Sequence, residues 1–199
     1  MSNLVIAEHD QNSLKSSTLS AVTAALAIGG DVDILVCGKG ADDVAKSAAL
    51  VCGVSKVIHV DNEIYEHQLA ESVAPLVSEI GKTYSGVLTP ATTTGKNLLP
   101  RVAALLDVSQ ISDIVNVKSN NVFQRPIYAG NAIATVESSD SIKVITVRAT
   151  AFSEAEVGEI PAPIENVSLV FAQELSQFIG ERLSQSERPE LTSAGIIIS

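Results

Sequence analysis

The stretch Asp33-Ile34-Leu35-Val36-Cys37-Gly38-Lys39-Gly40-Ala41-Asp42-Asp43-Val44-Ala45-Lys46-Ser47-Ala48-Ala49-Leu50-Val51-Cys52-Gly53 decides the fold. Asp33 to Cys37 is a short apolar run without alternation, the texture of a strand buried on both faces. Gly38-Lys39-Gly40 turns the chain. Ala41 to Val51 reads as a helix, and Gly53 stops it. A strand followed at once by a helix is the unit from which parallel sheets are built.

Working outward, the unit repeats. Leu4 to Ala7 is a buried strand, followed by a helix capped at Asn12 or Ser13, running to about Ile28 and ended by Gly29-Gly30. Lys56 to Val60 is a third strand. Leu69, Val73, Leu76, Val77 and Ile80 then form one apolar stripe at helical spacing, closed by Gly81. Gly86 to Thr89 is a fourth strand, Pro90 to Gly95 a loop, and Lys96 to Leu106 a fourth helix. Four such units imply right-handed crossovers and a Rossmann-like, mainly parallel α/β sheet.

After Asp107 the texture changes. Ile111 to Val117, Phe123 to Tyr128, Ala132 to Val136 and Lys143 to Val147 are strand-like, with turn signals at Ser119-Asn120-Asn121 and Ser138-Ser139-Asp140. They read as antiparallel hairpins appended to the sheet. Val167 to Phe171 reads as another strand. Ser176 to Glu190 is polar and reads as a linker, and Gly195 to Ser199 has the sequence of a buried strand with nothing after it. The expected organisation is an α/β domain over residues 1–185, with 186–199 as a linker and the first strand of a further unit.

Composition narrows the function. The 199 residues are 46% hydrophobic, ample for a core, but only 4% aromatic, so Val, Ile, Leu and Ala must build it. The net charge of −10 is the wrong sign for nucleic acid or an anionic membrane. The charge is uneven: residues 83–152 carry four acids against six bases, whereas both flanks are acidic. No run approaches membrane-spanning length. Cys37 and Cys52 are too few for a disulfide framework, and His9, His59 and His67 show no metal-ligand spacing. No nucleophile elbow or paired catalytic carboxylate stands out, so no catalytic residue is assigned.

Two loops have the setting of a phosphate cradle. Gly38-Lys39-Gly40 precedes a helix, but the third glycine of a dinucleotide fingerprint is replaced by Asp43, and Asp42 adds a second carboxylate. Thr92-Thr93-Thr94-Gly95-Lys96 lacks the first glycine and the final hydroxyl of a P-loop, since Pro90 and Asn97 stand there. What survives is a generic anion-binding loop of Thr92, Thr94, Gly95, Lys96 and Arg101, against the plain alternative that the threonines only cap a helix.

Four segments together resemble the electron transfer flavoprotein alpha subunit. They are Pro90 to Val108 continuing to Ile114, Arg125-Pro126-Ile127-Tyr128-Ala129-Gly130-Asn131-Ala132, Val147 to Phe152, and Arg188 to Ser199. The resemblance implies a heterodimer with a beta subunit, FAD in a second alpha domain and AMP in the beta subunit. It also implies electron flow from flavin dehydrogenases, such as those oxidising acyl-CoA, to a membrane quinone oxidoreductase. In that family the last segment runs on into the FAD-binding domain, so no cofactor is expected on residues 1–199. The domain would be a structural platform that binds the beta subunit through the stretch Ile111 to Phe152, with Arg125, Tyr128, Gly130 and Asn131 as contacts. The alternative for Tyr128 is a place in the domain's own core. The start of the chain lacks a basic, acid-poor leader, which favours a bacterial cytoplasmic setting over a mitochondrial one. The competing reading is a free-standing domain that binds adenine nucleotides or small anions through the loops after the first, second and fourth strands.

Overall fold

The computed structural model describes residues 1–181 and Ile198. The domain boundary expected after residue 185, most of the linker and the closing strand lie outside the described residues. The elements are β1 (Ser2–Ile6), α1 (Ser16–Ile28), β2 (Asp31–Gly38), α2 (Asp42–Ala49), β3 (Val54–Asp61), α3 (Ala70–Gly81), β4 (Gly86–Pro90), α4 (Thr93–Leu106), β5 (Gln110–Ile114), β6 (Asn116–Val117), β7 (Val122–Ile127), β8 (Ala132–Glu137), β9 (Lys143–Val147) and β10 (Ile164–Asn166).

Seven strands form one sheet in the order β10-β3-β2-β1-β4-β9-β5, and every pair in it is parallel. The runs read as doubly buried strands are so: Leu4, Val5, Ile34, Leu35, Val36, Val87 and Leu88 are fully shielded from water. Each face carries its own core. Val5, Ile34, Val36 and Val57 pack with α1 and α2, while Leu4, Leu35, Ile58 and Val60 pack with α3 and α4. The stripe of α3 lands as its spacing predicts, with Val73, Leu76 and Val77 buried. The Rossmann-like fold with an antiparallel appendage is therefore as read: β6, β7 and β8 make a separate three-stranded antiparallel sheet.

Four local readings are corrected. Lys143–Val147 is not a hairpin strand; β9 lies inside the main sheet, parallel to both β4 and β5. Ile111 to Val117 is not one strand either, because the register shifts between Ile111 and Ile114, where Asp113 has φ of 60°. That bulge turns the chain out of the main sheet and into the small one. Helix α1 begins at Ser16, since Asp10 instead closes a local turn by accepting from the Asn12 and Ser13 backbone N–H groups. Val167 to Phe171 is not a strand; the ladder is taken by Ile164–Asn166, and Val167 and Phe171 pack beside α3.

Candidate functional site

In an open parallel sheet ligands bind at the carboxyl ends of the strands, where the strand order reverses. Here the reversal lies between β1 and β4, since β2 and β3 follow on one side of β1 and β4 and β9 on the other. The loops after β1, β2, β3 and β4 meet at this edge, so both candidate phosphate loops can be judged by what occupies them.

The first is Gly38-Lys39-Gly40. The backbone N–H of Gly40 donates to the Asp61 carboxylate at 2.9 Å, and that of Lys39 to the Gln11 side-chain oxygen at 3.2 Å. A Cβ on Gly38 would lie 2.2 Å from that same oxygen, so glycine there makes room for Gln11. The Lys39 ammonium is paired with Glu66 at 2.8 Å. The donors that would cradle a phosphate are thus held by the protein's own acceptors.

The second is the start of α4. Thr92 caps it by accepting from the Gly95 N–H at 3.3 Å. Its hydroxyl donates in turn to the Glu8 carboxylate, whose other oxygen accepts from Ser17 at 2.9 Å. Glu8 therefore brings a negative charge to the positive end of the helix dipole, where a ligand anion would otherwise gain most. Between the two loops the switch point encloses only about 30 Å³, lined by Ala7, Cys37, Gln68, Thr89 and Thr94 among others. That is room for one water and not for a nucleotide. His9 closes the edge, with Nε2 donating to the Cys37 carbonyl at 3.0 Å and Nδ1 accepting from the Gln11 N–H at 3.2 Å. Burial lowers its pKa, which favours the neutral imidazole this pairing requires. Burial also pushes the Cys37 thiol up to about 12, too high for a nucleophile or a thiolate ligand.

The five residues grouped as an anion loop do not converge. Thr92 and Lys96 border an open cleft of about 510 Å³ with Asp113 and Arg148. The charge of Arg148 is committed to Asp113, which raises the guanidinium's pKa. Thr94 faces the switch point. Gly95 is packed against the end of β4. Arg101 points elsewhere, bonding the Asn97 carbonyl at 2.9 Å and pairing with Glu71 of α3 at 2.8 Å. It braces two helices. Among the described residues no group of three His, Cys, Asp or Glu could hold a metal ion, and no helix is long and apolar enough to cross a membrane. Sequence reasoning did not assign Glu8, Gln11 and Asp61 as the occupants; the available signal for two of them was an acid just after β1 and another at the last residue of β3.

The residues grouped as a partner contact lie on the small sheet. Arg125 is tied inward, its Nε donating to the Ser112 carbonyl at 2.7 Å. Tyr128 is 80% exposed, so it is not a core residue. It opens a tight turn in which Tyr128, Ala129 and Gly130 have φ of 50°, 54° and 91°, closed by the Asn131 N–H to the Tyr128 carbonyl. Two non-glycine residues in the left-handed region cost about 1–2 kcal/mol each, and the turn holds the ring out in solvent.

The family model described as "Electron transfer flavoprotein domain" matches residues 3–172. This chain belongs to that family. Over all 199 residues it is 57% identical to the electron transfer flavoprotein subunit alpha of Pseudomonas aeruginosa and 50% identical to that of Bradyrhizobium diazoefficiens. It covers 64% and 63% of those relatives. The mitochondrial electron transfer flavoprotein subunit alpha of Dictyostelium discoideum is 45% identical over 212 aligned positions, covering 98% of this chain and 60% of the relative. The chain thus spans somewhat under two thirds of the length of the relatives it matches. The electron transfer flavoprotein domain is here a three-layer α/β unit whose switch point between β1 and β4 is filled by its own side chains.

Proposed function

We propose that residues 1–185 are the platform domain of an electron transfer flavoprotein alpha subunit, with residues 186–199 leading into the part that holds FAD. The parent heterodimer would carry electrons from flavin dehydrogenases to a membrane quinone oxidoreductase, so the chain is an electron-carrier subunit and not an enzyme. Its similarity to two bacterial relatives supports a bacterial cytoplasmic setting. The observation that carries the platform role is the filling of both phosphate loops by Asp61, Gln11 and Glu8. It weighs against the competing reading of a free-standing nucleotide-binding domain. Purified chain should show no flavin absorption bands, and AMP, ATP and FAD should leave its melting temperature unchanged. A stabilisation that rises with nucleotide concentration, as linkage requires of a real ligand, would favour the competing reading.

The partner is the beta subunit, and the contact includes Arg125, Tyr128, Gly130 and Asn131. What supports this is the outward Tyr128, together with Ile133 on β8 of the same small sheet, which is 54% exposed. A rigid exposed tyrosine is a favoured interface anchor. Hydrogen exchange with and without purified beta subunit should show protection over residues 111–152 and little over α3. Protection confined to α3 would reject this placement.

A further inference from the structure

Helix α1 is covered along most of its length and open at its carboxyl end. Its 13 residues, Ser16 to Ile28, include no charged side chain. The sheet lies on one side of it, and the segment after β9 covers much of the other through the Ser20 hydroxyl to the Phe152 carbonyl at 3.1 Å. Leu26, 40% exposed, and the exposed Ala27 remain open to solvent. The uncharged surface does not end at the helix. The side chain of Leu26 lies against Gly53, in the turn after α2. That turn is stitched to the extended segment that follows β9: the Cys52 N–H donates to the Glu156 carbonyl at 2.8 Å, and the Gly158 N–H to the Leu50 carbonyl at 2.8 Å. The same segment returns to α1 through the Ala155 N–H and the Leu19 carbonyl at 3.3 Å.

The segment is pinned with its small residues inward and its large ones outward. Ala155 packs on the core, and Gly158 sits against Cys52. Val157 and Ile160 are 61% and 90% exposed. Around them stand Glu154, Glu156 and Glu159, all exposed. Between Arg148 and Arg182 the sequence holds six Glu and no Lys, Arg or His. The result is a fixed apolar ridge with an acidic rim, which needs little ordering on binding.

We infer that the exposed carboxyl end of α1 at Leu26 together with the ridge at Val157 and Ile160 docks a protein surface that carries an apolar patch rimmed by Lys and Arg. The charge pattern selects that occupant, because an acidic rim repels a second copy of the same ridge and an anionic lipid surface alike. This rests on the heterodimer proposed above, and assigns the complementary surface to the second subunit.

Cys52 supplies the reporter. It is exposed at the centre of this face, while Cys37, the other cysteine, is buried. Alkylation of Cys52 in the native chain should slow sharply when purified beta subunit is added to saturation. Leu26→Glu should weaken the complex by roughly 30-fold or more, the scale of a central interface residue. Replacing Glu154, Glu156 and Glu159 by Gln should flatten the salt dependence of association. Glu79→Gln on α3, beneath the opposite face of the sheet, should change neither. Melting curves of each variant separate lost docking from lost folding, and the Gln variant alters no packed residue. A complex that forms with the wild-type chain while Cys52 keeps its free rate, and whose salt dependence is unmoved by the Gln variant, would overturn the inference and leave the heterodimer standing. Failure of the wild-type chain to form any complex would overturn both. Association above the concentration range of the beta-subunit complex, by the chain alone, with Cys52 protected, would assign the face to a second copy and reject it.

Discussion

Gly95→Ala is expected to destabilise the domain by about 3 kcal/mol, the upper range for forcing atoms into a packed site. A Cβ at this position would lie 2.0 Å from the carbonyl oxygen of Pro90 and 2.8 Å from the Thr89 methyl. The oxygen belongs to the last residue of β4, which is held in register opposite Val147, so it cannot swing aside as a side chain would. Within a helix alanine is favoured over glycine by about 1 kcal/mol, and here that preference is outweighed by the clash. The glycine lets the first turn of α4 sit directly on the end of β4, which brings Thr92 to Glu8. Urea denaturation of the variant beside the wild type measures the loss. A difference below about 1 kcal/mol would show that α4 can lift off β4 without strain, and would return Gly95 to the role of a ligand-loop residue.

Phe123→Ala is expected to cost about 3–5 kcal/mol, the range for removing a buried phenylalanine ring. Phe123 is the one fully buried side chain of β6, β7 and β8. It joins the core beneath α1 and α2, with Val117 and Val136 packed around it. The small sheet therefore hangs on the domain chiefly through this ring, aided by the Arg125 bond to the Ser112 carbonyl. Its outer face has no such anchor: Pro126 stands opposite Ile133, and Gln124 opposite Thr135. Hydrogen exchange should accelerate over residues 116–137 more than over β1, β2 and β4, because those strands keep the core on the opposite face of the sheet, built by Leu4, Leu35 and Val87. On the contact proposed above, affinity for the beta subunit should fall with it, since the same sheet presents Tyr128. Phe123→Leu keeps most of the volume and should cost less than about 1.5 kcal/mol. Uniform acceleration over the whole domain would show that the small sheet is not a separately tethered unit.

These two residues show different degrees of legibility. The burial of Phe123 was open to inference from a strand-like run in a chain with few aromatics. The reason for Gly95 was not, because a Thr-Thr-Gly-Lys sequence before a helix looks the same whether the glycine admits a phosphate or a backbone carbonyl.

The sequence by itself determined the family and most of the local elements, but not the start of α1, the break between β5 and β6 or the strand Ile164–Asn166. Doubly buried strands announce themselves as unbroken apolar runs, and α3 as a stripe of period 3.6, because those patterns depend only on neighbours along the chain. Four quoted segments carried the family resemblance, and the match over residues 3–172 agrees with it. The tertiary structure alone decided pairing and occupancy. Lys143–Val147 suits an antiparallel hairpin as well as a parallel ladder; its place was chosen by β4 and β5, both brought to it by the fold. The closing of the two phosphate loops likewise rests on contacts between residues 21 and 84 positions apart, Gly40 with Asp61 and Glu8 with Thr92. A chain records its own periodicity, but a carboxylate that takes the place of a ligand is recognisable only once the strands that carry it and its donor lie side by side.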